Sequence, residues 1–352
     1  MLKKMRLLLL PVAWVYGAVA AVRRRWYRRG RCSSFKPSIS TICIGNLRVG
    51  GTGKTPHTEY LAQLLSQTGK VAILSRGYRR HTQGFVLAQQ GATAAMIGDE
   101  PLQYFSKFPS VTVAVDEKRA DGIQRLQQLC PDLKVILLDD AYQHLQVKAA
   151  CNILVTPFND LYVNDFPLPA GNLREFPSAA CDADVIVVSK TPADCDEKQR
   201  EELLNALSPQ AHQQVFFTTY EYQPLQPMTE LARQAQPTGN TTVLAVTGIA
   251  NPEPLYQELE NRGCQVVPIR FADHHQFTEM EIAQWVELYK QYSEQGQCIV
   301  VTTEKDYMRL QSAELENVLS LLPVFVAPIS VKILFNQENQ FNKTILSYVT
   351  ED

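Results

Sequence analysis

The first 40 residues contain no aspartate or glutamate, although this 352-residue chain carries 36 acidic residues. The same segment holds ten of the 34 Lys and Arg residues, so the rest of the chain has 24 basic residues against 36 acidic ones. Nucleic-acid-binding proteins line their folded surface with basic residues, and an acidic body of this kind lacks that feature. We therefore expect no nucleic-acid partner, and the basic amino terminus instead favours an anionic membrane surface.

The eight cysteines form no C-x-x-C pair and show no regular spacing. A disulfide framework is therefore not indicated, and scattered reduced thiols are typical of a cytosolic protein. Internal repeats and low-complexity tracts are absent as well, and the length suggests about two domains. Nothing in the sequence indicates an obligatory protein partner.

The uncharged run near the amino terminus, from Leu7 to Val22, has only 16 residues. As a helix it would span about 24 Å, short of a hydrocarbon core of about 30 Å. The arginines at 23–25 oppose cleavage and export as a signal peptide. A helix lying in the membrane interface, a full span and a buried core helix remain as interpretations. We favour the interfacial helix, because it places Trp14 and Trp26 at headgroup depth beside the arginines.

A glycine-rich loop follows the first apolar strand run and ends in Gly53-Lys54-Thr55. Such a loop turns backbone N–H groups toward a polyphosphate, while the lysine reaches the β- and γ-phosphates and the hydroxyl ligates Mg²⁺. A helix predicted from about His57 to Ser66 adds the positive end of its dipole. The match to G-x-x-x-x-G-K-[ST] is partial, because Arg48 replaces the first glycine, and a bare glycine-rich turn is the alternative. The predicted ATP-binding residues are Arg48, Val49, Gly50, Gly51, Thr52, Gly53, Lys54 and Thr55.

Short apolar runs alternate with helical stretches, which predicts an α/β fold: a P-loop NTPase-type parallel sheet with helices on both faces. Strands are predicted at 71–74, 111–115, 135–138, 151–155, 184–188, 243–246, 265–268, 298–301 and 323–326. The predicted division is a membrane-associating helix over 1–30, a P-loop domain over 31–225, a linker over 226–240, a smaller α/β domain over 241–330 and a terminal segment over 331–352. Functional groups should gather at the carboxyl ends of the parallel strands.

Carboxylates stand at two places that suit phosphoryl transfer. Asp139 and Asp140 end an apolar run and would be delivered toward Mg²⁺ beside the loop, although paired aspartates also serve as turns or helix caps. Asp99, in Gly98-Asp-Glu-Pro101, marks a helix start and could equally accept the proton of a substrate hydroxyl. The residues alone leave these alternatives open.

Two further segments are candidates. Asp273-His274-His275 could ligate a metal, lie as satisfied loop histidines, or place a histidine against a carboxylate across the domain cleft. A metal-dependent phosphoesterase would need further Asp/His clusters that the chain does not supply. The rigid, charged loop from Pro167 to Glu175 is either a surface turn or a holder of substrate or metal.

These motifs, in this order, resemble the tetraacyldisaccharide 4′-kinase family of lipid A biosynthesis. The segments that carry the resemblance are Leu10 to Gly17, Gly45 to Pro56, Ser75 to Tyr78, Gly98 to Pro101, Asp139 to His144, Leu168 to Gly171, Leu173 to Glu175, Asp273 to His275 and Thr303 to Asp306. Ala141 and Arg79 depart from the family pattern, at positions without a catalytic role.

The resemblance implies transfer of the γ-phosphate of ATP, with Mg²⁺, to the 4′-hydroxyl of a tetraacylated glucosamine disaccharide 1-phosphate. The product would be the lipid A bisphosphate precursor, lipid IVA, made at the cytoplasmic face of the bacterial inner membrane. It implies catalytic roles for Asp99, His274 and Lys54, metal binding by Thr55, Asp139, Asp140 and Glu175, and substrate contacts from Arg76, Asp99, His144 and Arg174.

A membrane-associated ATPase switch of the deviant-Walker kind is the competing function. That class also carries Gly-Gly-x-Gly-Lys-Thr and an amphipathic anchor. It places a lysine directly before the two glycines, where this chain has Val49, and it lacks a second domain with Asp-His-His. ATP turnover that depends strictly on a lipid disaccharide would separate the two.

Overall fold

The computed structural model describes residues 6–311 and 313–350, which form a larger and a smaller β-sheet with helices around both. The strands are β1 Ser40–Gly45, β2 Lys70–Ser75, β3 Val86–Leu87, β4 Thr112–Val115, β5 Leu133–Asp139, β6 Cys151–Pro157, β7 Val185–Ser189, β8 Gln214–Tyr222, β9 Gln226–Pro227, β10 Thr242–Thr247, β11 Gln265–Arg270, β12 Cys298–Thr303, β13 Val324–Ala327 and β14 Ile329–Ile333. The α-helices are α1 Leu10–Arg28, α2 Lys54–Leu65, α3 Ala94–Ile97, α4 Asp99–Lys107, α5 Arg119–Leu129, α6 Glu197–Leu207, α7 Glu230–Gln234, α8 Glu253–Asn261, α9 Glu279–Ser293, α10 Glu304–Leu310, α11 Ala313–Leu319 and α12 Glu338–Thr350. Short 3₁₀ helices cover Leu7–Leu9, Phe158–Asp160, Tyr162–Asn164 and Pro177–Asp182.

The larger sheet has the strand order β14-β8-β7-β6-β1-β5-β2-β4-β3. Its central strands pair in parallel, and only the edge strands β3 and β14 pair antiparallel. Leu61 and Leu65 of α2 are buried on one face of this sheet, and Ile123 of α5 and Leu207 of α6 are buried on the other. The predicted α/β fold is therefore confirmed. Buried parallel strands are apolar on both faces, and the helices cover both faces here.

The smaller sheet has the order β11-β10-β12-β13-β9, parallel except for β9. Its strand β9 and helix α7 lie within 226–240, so the predicted linker carries regular structure instead. Strand β14 spans the predicted boundary at 330 between the smaller domain and the terminal segment. It returns to the larger sheet and pairs with β8. The prolines of this segment led to the prediction of a linker, but proline is also compatible with an edge strand such as β9.

The amino-terminal helix α1 packs one side on the body and leaves the other exposed. Ala13, Gly17 and Arg24 are buried, and a Cβ on Gly17 would meet the Phe176 ring at 2.6 Å. The large exposed residues of the helix are Val12, Trp14, Val15, Tyr16, Val19, Val22 and Trp26. With the preceding 3₁₀ turn it forms a 22-residue helix, Leu7–Arg28, long and apolar enough by composition to cross a membrane, with 17% of its apolar window buried. Lys3 and Lys4, counted in the basic segment, lie outside the described residues.

Parallel pairing brings the carboxyl ends of several strands to one edge of each sheet. At the larger sheet these ends carry the glycine-rich loop that follows β1, Ser75 as the last residue of β2, and Asp139 as the last residue of β5. At the smaller sheet, the segments that follow β10, β11 and β12 contain Gly248, His274 and Glu304. The topology thus collects the predicted site residues at strand ends, as such folds do.

Candidate active site

The glycine-rich loop leads directly into α2, which begins at Lys54. Gly53 adopts φ +91°, and a Cβ there would lie 1.8 Å from the hydroxyl oxygen of Tyr220, so only glycine fits. The Thr52 hydroxyl accepts a hydrogen bond from Asn46 Nδ2 at 2.7 Å, and its carbonyl accepts one from Ser189 Oγ at 2.7 Å. Lys190 Nζ donates to the Gly51 carbonyl at 2.6 Å. The loop is therefore held from several sides, and its helix dipole favours an anion.

Asp140 is shared by two basic groups beside the loop. Lys54 Nζ lies 3.5 Å from its Oδ1, and Arg174 Nη1 donates to the same oxygen at 3.0 Å. Burial alone would raise the pKa of Asp140, but Lys54 and Arg174 outweigh burial and lower it. This cluster puts two positive charges where phosphate groups of a nucleotide would lie against the loop.

Asp139 is more deeply buried than its neighbour, with 2% of its surface exposed. Its oxygens accept hydrogen bonds from Ser75 Oγ at 3.1 Å and Thr58 Oγ1 at 3.5 Å. Burial, together with the nearby charges of Glu100 and Asp140, raises its pKa to about 7. A bound cation would remove this penalty, so the acid fits a place beside Mg²⁺.

Metal-binding chemistry fits only part of the predicted set. Residues 6–311 and 313–350 contain no group of three or more His, Cys, Asp and Glu side chains arranged to hold a metal. Mg²⁺ at nucleotide sites takes one or two protein ligands and completes its shell with phosphates and water. Thr55, in the first turn of α2, and the Asp139–Asp140 pair fit that pattern.

Glu175 does not join that group, which corrects its predicted role as a metal ligand. Both of its oxygens accept hydrogen bonds from Arg24, at 2.7 and 2.8 Å, and the side chain is buried. Arg24 also pairs with Asp182 at 2.5 Å. Glu175 therefore anchors α1 to the body, because a buried guanidinium needs carboxylate partners.

The predicted substrate loop at 167–175 joins α1 to the glycine-rich loop. The Asn172 carbonyl accepts a hydrogen bond from Val49 N at 2.9 Å, and Arg174 N donates one to the Leu47 carbonyl at 2.6 Å. Arg6 donates to the Pro169 carbonyl at 3.1 Å. The Arg48 side chain is paired with Asp160 and Asp165, at 3.0 and 3.2 Å, so it braces the loop rather than filling the role of a phosphate ligand.

Asp99 and His274 meet across the two sheets. Asp99 begins α4, and its Oδ2 lies 3.3 Å from Nδ1 of His274. The same oxygen is 3.4 Å from Nε of the buried Arg309. His275 instead pairs with Glu281 at 2.9 Å, so the two adjacent histidines serve different partners and form no joint metal site.

Arg76 and His144 lie near each other on the larger sheet side. Arg76 is exposed, whereas His144 is half-buried. Burial, followed by the charges of Arg119 and Arg76, lowers the pKa of His144 to about 4. The imidazole is therefore neutral at physiological pH, and the local field is positive, which suits an anionic group.

Three residues that contact this site have no role predicted from the sequence. Glu100 acts on Asp139, Arg309 pairs with Asp99, and Lys305 lies 3.2 Å from Nε2 of His274. Lys305 belongs to Thr303-Glu-Lys-Asp306, a motif that contributes to the family resemblance but has no function predicted from the sequence. Its partner His274 is 31 positions away, which no local pattern reveals.

Comparison with known proteins gives consistent similarities over nearly the whole chain. A family model described as tetraacyldisaccharide-1-P 4′-kinase (LpxK) matches residues 5–350. A tetraacyldisaccharide 4′-kinase of Bacteroides thetaiotaomicron is 41% identical over 360 residues, covering 98% of this chain and 93% of that protein. One from Flavobacterium johnsoniae is 39% identical over 348 residues, covering 99% and 98%. The crystal structure described as the "apo" form of LpxK from Aquifex aeolicus in complex with ATP aligns with a TM-score of 0.73 and 27% identity, covering 99% of this chain and all of that one.

Proposed function

The chain belongs to the tetraacyldisaccharide-1-phosphate 4′-kinase family, and we propose that it transfers the γ-phosphoryl group of ATP to the 4′-hydroxyl of a tetraacylated glucosamine disaccharide 1-phosphate. The observation that carries this proposal is the joint presence of a phosphate-binding loop and a histidine-supported carboxylate. A deviant-Walker switch needs the loop but has no use for Asp99 held by His274 from the second sheet. The kinase therefore accounts for more of the site.

The phosphate side of the reaction depends on the loop, Lys54 and Arg174. Backbone N–H groups of 50–55 and the start of α2 bind the phosphates, and the two cations stabilise negative charge on the transferring group. Thr55 and the Asp139–Asp140 pair would hold Mg²⁺, which supplies further neutralisation of phosphate charge when bound. These groups orient the γ-phosphoryl group for attack from the acceptor side.

The acceptor side depends on Asp99. Its Oδ2 is held by His274 and Arg309, while Oδ1 has no hydrogen-bond partner among residues 6–311 and 313–350. We assign Oδ1 the task of accepting the proton of the sugar hydroxyl as the oxygen attacks phosphorus. Arg76 and His144 are proposed to contact the anionic disaccharide, because the field around them is positive.

The amino-terminal helix is proposed to bring the enzyme to its lipid substrate at the cytoplasmic, anionic face of the inner membrane. Its docked side is fixed by Arg24, and its exposed side carries Trp14, Trp26 and several valines. A helix fixed to the body on one side supports peripheral, interfacial binding better than a span. We further propose a membrane-associating helix over 1–30, a P-loop domain and a smaller α/β domain, with β9 and α7 lying within 226–240 and residues 329–333 joining the larger sheet.

The direct test is to incubate purified protein with Mg²⁺-ATP and disaccharide 1-phosphate and to look for the bisphosphate by mass spectrometry. Lys54→Ala should lower kcat by roughly 10² or more, because it removes charge stabilisation of the transferring group. Lys332→Ala, which removes a surface lysine paired with Glu221, is the matched control. The assignment would be refuted if folded Lys54→Ala protein showed near-normal turnover. It would also be refuted if the rate of ATP hydrolysis did not depend on the lipid disaccharide.

A double-mutant cycle tests the carboxylate and its histidine. Asp99→Ala should reduce kcat strongly, His274→Ala somewhat less, and the double variant hardly more than Asp99→Ala alone, because residues that act as one unit give non-additive losses. Steady-state kinetics of the three variants would measure this. Losses that multiply would mean that His274 acts independently, in substrate binding or in structure.

A further inference from the structure

Lys305 lies behind His274, on the side opposite the proposed base. Its Nζ is 3.2 Å from His274 Nε2 and 3.6 Å from Glu100 Oε1. The other ring nitrogen, Nδ1, is the one that lies 3.3 Å from Asp99. The three side chains thus form a continuous row, lysine to imidazole to carboxylate.

The chemistry of the groups decides which ring nitrogen carries the proton. A lysine ammonium has three donors and no acceptor, and the nearby Glu100 stabilises its charge. Nε2 of His274 must therefore accept, so the single proton of the neutral ring lies on Nδ1 and is donated to Asp99. An isolated imidazole has no such constraint, and an Nε2–H ring would set two donors against each other.

We propose that Lys305 is a positioning residue that fixes the Nδ1–H tautomer of His274 and, through it, the orientation of Asp99. This inference rests on the proposed role of Asp99 as the base. The Nδ1–H bond and Arg309 both hold Oδ2. Oδ1 is thereby kept as the lone-pair donor for the sugar hydroxyl.

Hydrogen bonds to the backbone of Gly248 link the segments that carry Lys305 and His274. The Gly248 carbonyl accepts from His274 N at 3.1 Å, and Gly248 N donates to Asp306 Oδ2 at 3.1 Å. Thr303 caps α10 by accepting from Asp306 N at 3.1 Å. His274 itself adopts φ +61°, a conformation that non-glycine residues keep only where the surroundings impose it. The Thr303-Glu-Lys-Asp306 motif therefore has a structural reason to stand next to the histidine.

The test is ¹⁵N NMR of protein labelled at histidine, with the His274 signals assigned by their loss in His274→Gln. We expect the wild type to show a neutral His274 ring protonated at Nδ1. Lys305→Met should shift the ring toward the Nε2–H tautomer, whereas Lys305→Arg, which retains donors, should keep Nδ1–H. Lys332→Met serves as the control and should leave the signals unchanged. In kinetics, Lys305→Met should reduce kcat about tenfold or more with a change in the KM for ATP of less than about twofold.

An Nε2–H ring in the wild-type spectrum would overturn the proposal, and the tautomer itself is read on the wild-type protein, with His274→Gln used only for assignment. An unchanged tautomer in Lys305→Met, or a changed tautomer with wild-type kcat, would overturn it as well. Absence of kinase activity in the wild-type protein would refute the proposed function instead, because the tautomer is read without turnover.

Discussion

His57 lies three residues after the loop lysine but is a structural residue. Its Nδ1 is 2.7 Å from the Gly53 carbonyl and its Nε2 is 2.9 Å from Thr218 Oγ1. Burial lowers its pKa from the usual 6.5 to about 4, although the bond to Gly53 acts in the opposite direction. The neutral ring thereby ties the end of the phosphate loop to β8.

We expect His57 to make stability depend on pH. Between about pH 6.5 and pH 4 the His57 imidazole is protonated in the unfolded chain but neutral in the folded protein. The free energy of unfolding therefore falls as the pH falls through this window. The full effect is at most about 3 kcal/mol. His57→Gln keeps polar partners without titrating and should flatten this part of the curve. Urea unfolding at a series of pH values measures it, with exposed His212→Gln as the control. Equal slopes for wild type and His57→Gln would contradict the expectation.

At the scale of elements, α4 and α10 are joined by ion pairs along their length. Asp99 and Glu100, at the start of α4, pair with Arg309 and Lys305 of α10. At the end of α4, Lys107 Nζ lies 2.6 Å from Glu304 of α10 and 2.7 Å from Glu59 of α2. Burial, and then the charge of Glu304, raises the pKa of Glu59 to about 7. Lys107 therefore holds two carboxylates together and links the helix of the phosphate loop to the smaller sheet.

Removing that lysine should destabilise the protein more than removing an ordinary surface lysine. Lys107→Met leaves a buried carboxylate beside another one, and we expect a loss of about 2–4 kcal/mol in the free energy of unfolding. Adding Glu59→Gln should recover part of it, because the uncompensated charge disappears. Denaturant unfolding measures both variants, and Lys290→Met, which breaks an exposed pair with Glu287, is the control. A Lys107→Met loss no larger than that of Lys290→Met would show that the pair is solvated.

At the scale of the whole molecule, membrane binding should depend on the exposed side of α1. Replacing Trp14, Val15 and Val19 by serine leaves the Arg24 anchor in place and removes apolar area that would enter the interface. We expect weaker co-sedimentation with anionic vesicles and unchanged unfolding. Deleting residues 1–26 should weaken binding further, since each basic residue near an anionic surface contributes on the order of 1 kcal/mol. The control replaces three exposed apolar residues of the body, Leu129, Met280 and Leu321, by serine. Full sedimentation of the α1 variant would place the membrane contact elsewhere.

Much of the architecture could be predicted because buried parallel strands are continuous apolar runs, such as β5 and β7. Strands β8 and β14 escaped prediction, because their exposed positions mix polar and charged residues with the apolar ones. The phosphate loop was predictable from its local pattern. The partner of Glu175 was not, since Arg24 is 151 positions away and either a metal or a guanidinium can satisfy a carboxylate.

The return of the chain at β14 bears on the order in which the molecule assembles. Tyr222 and Ile329 are Cα partners across β8 and β14, and all strands of the smaller sheet lie between them in sequence. Until residues 329–333 leave the ribosome, β8 has no neighbour on its outer side. Pairing β14 with β8 closes the loop between Tyr222 and Ile329, and the conformational entropy this costs grows with the number of unfolded residues in the loop. Prior folding of the smaller sheet would bring positions 222 and 329 together, so that its completion lowers the entropic barrier to sealing the larger one.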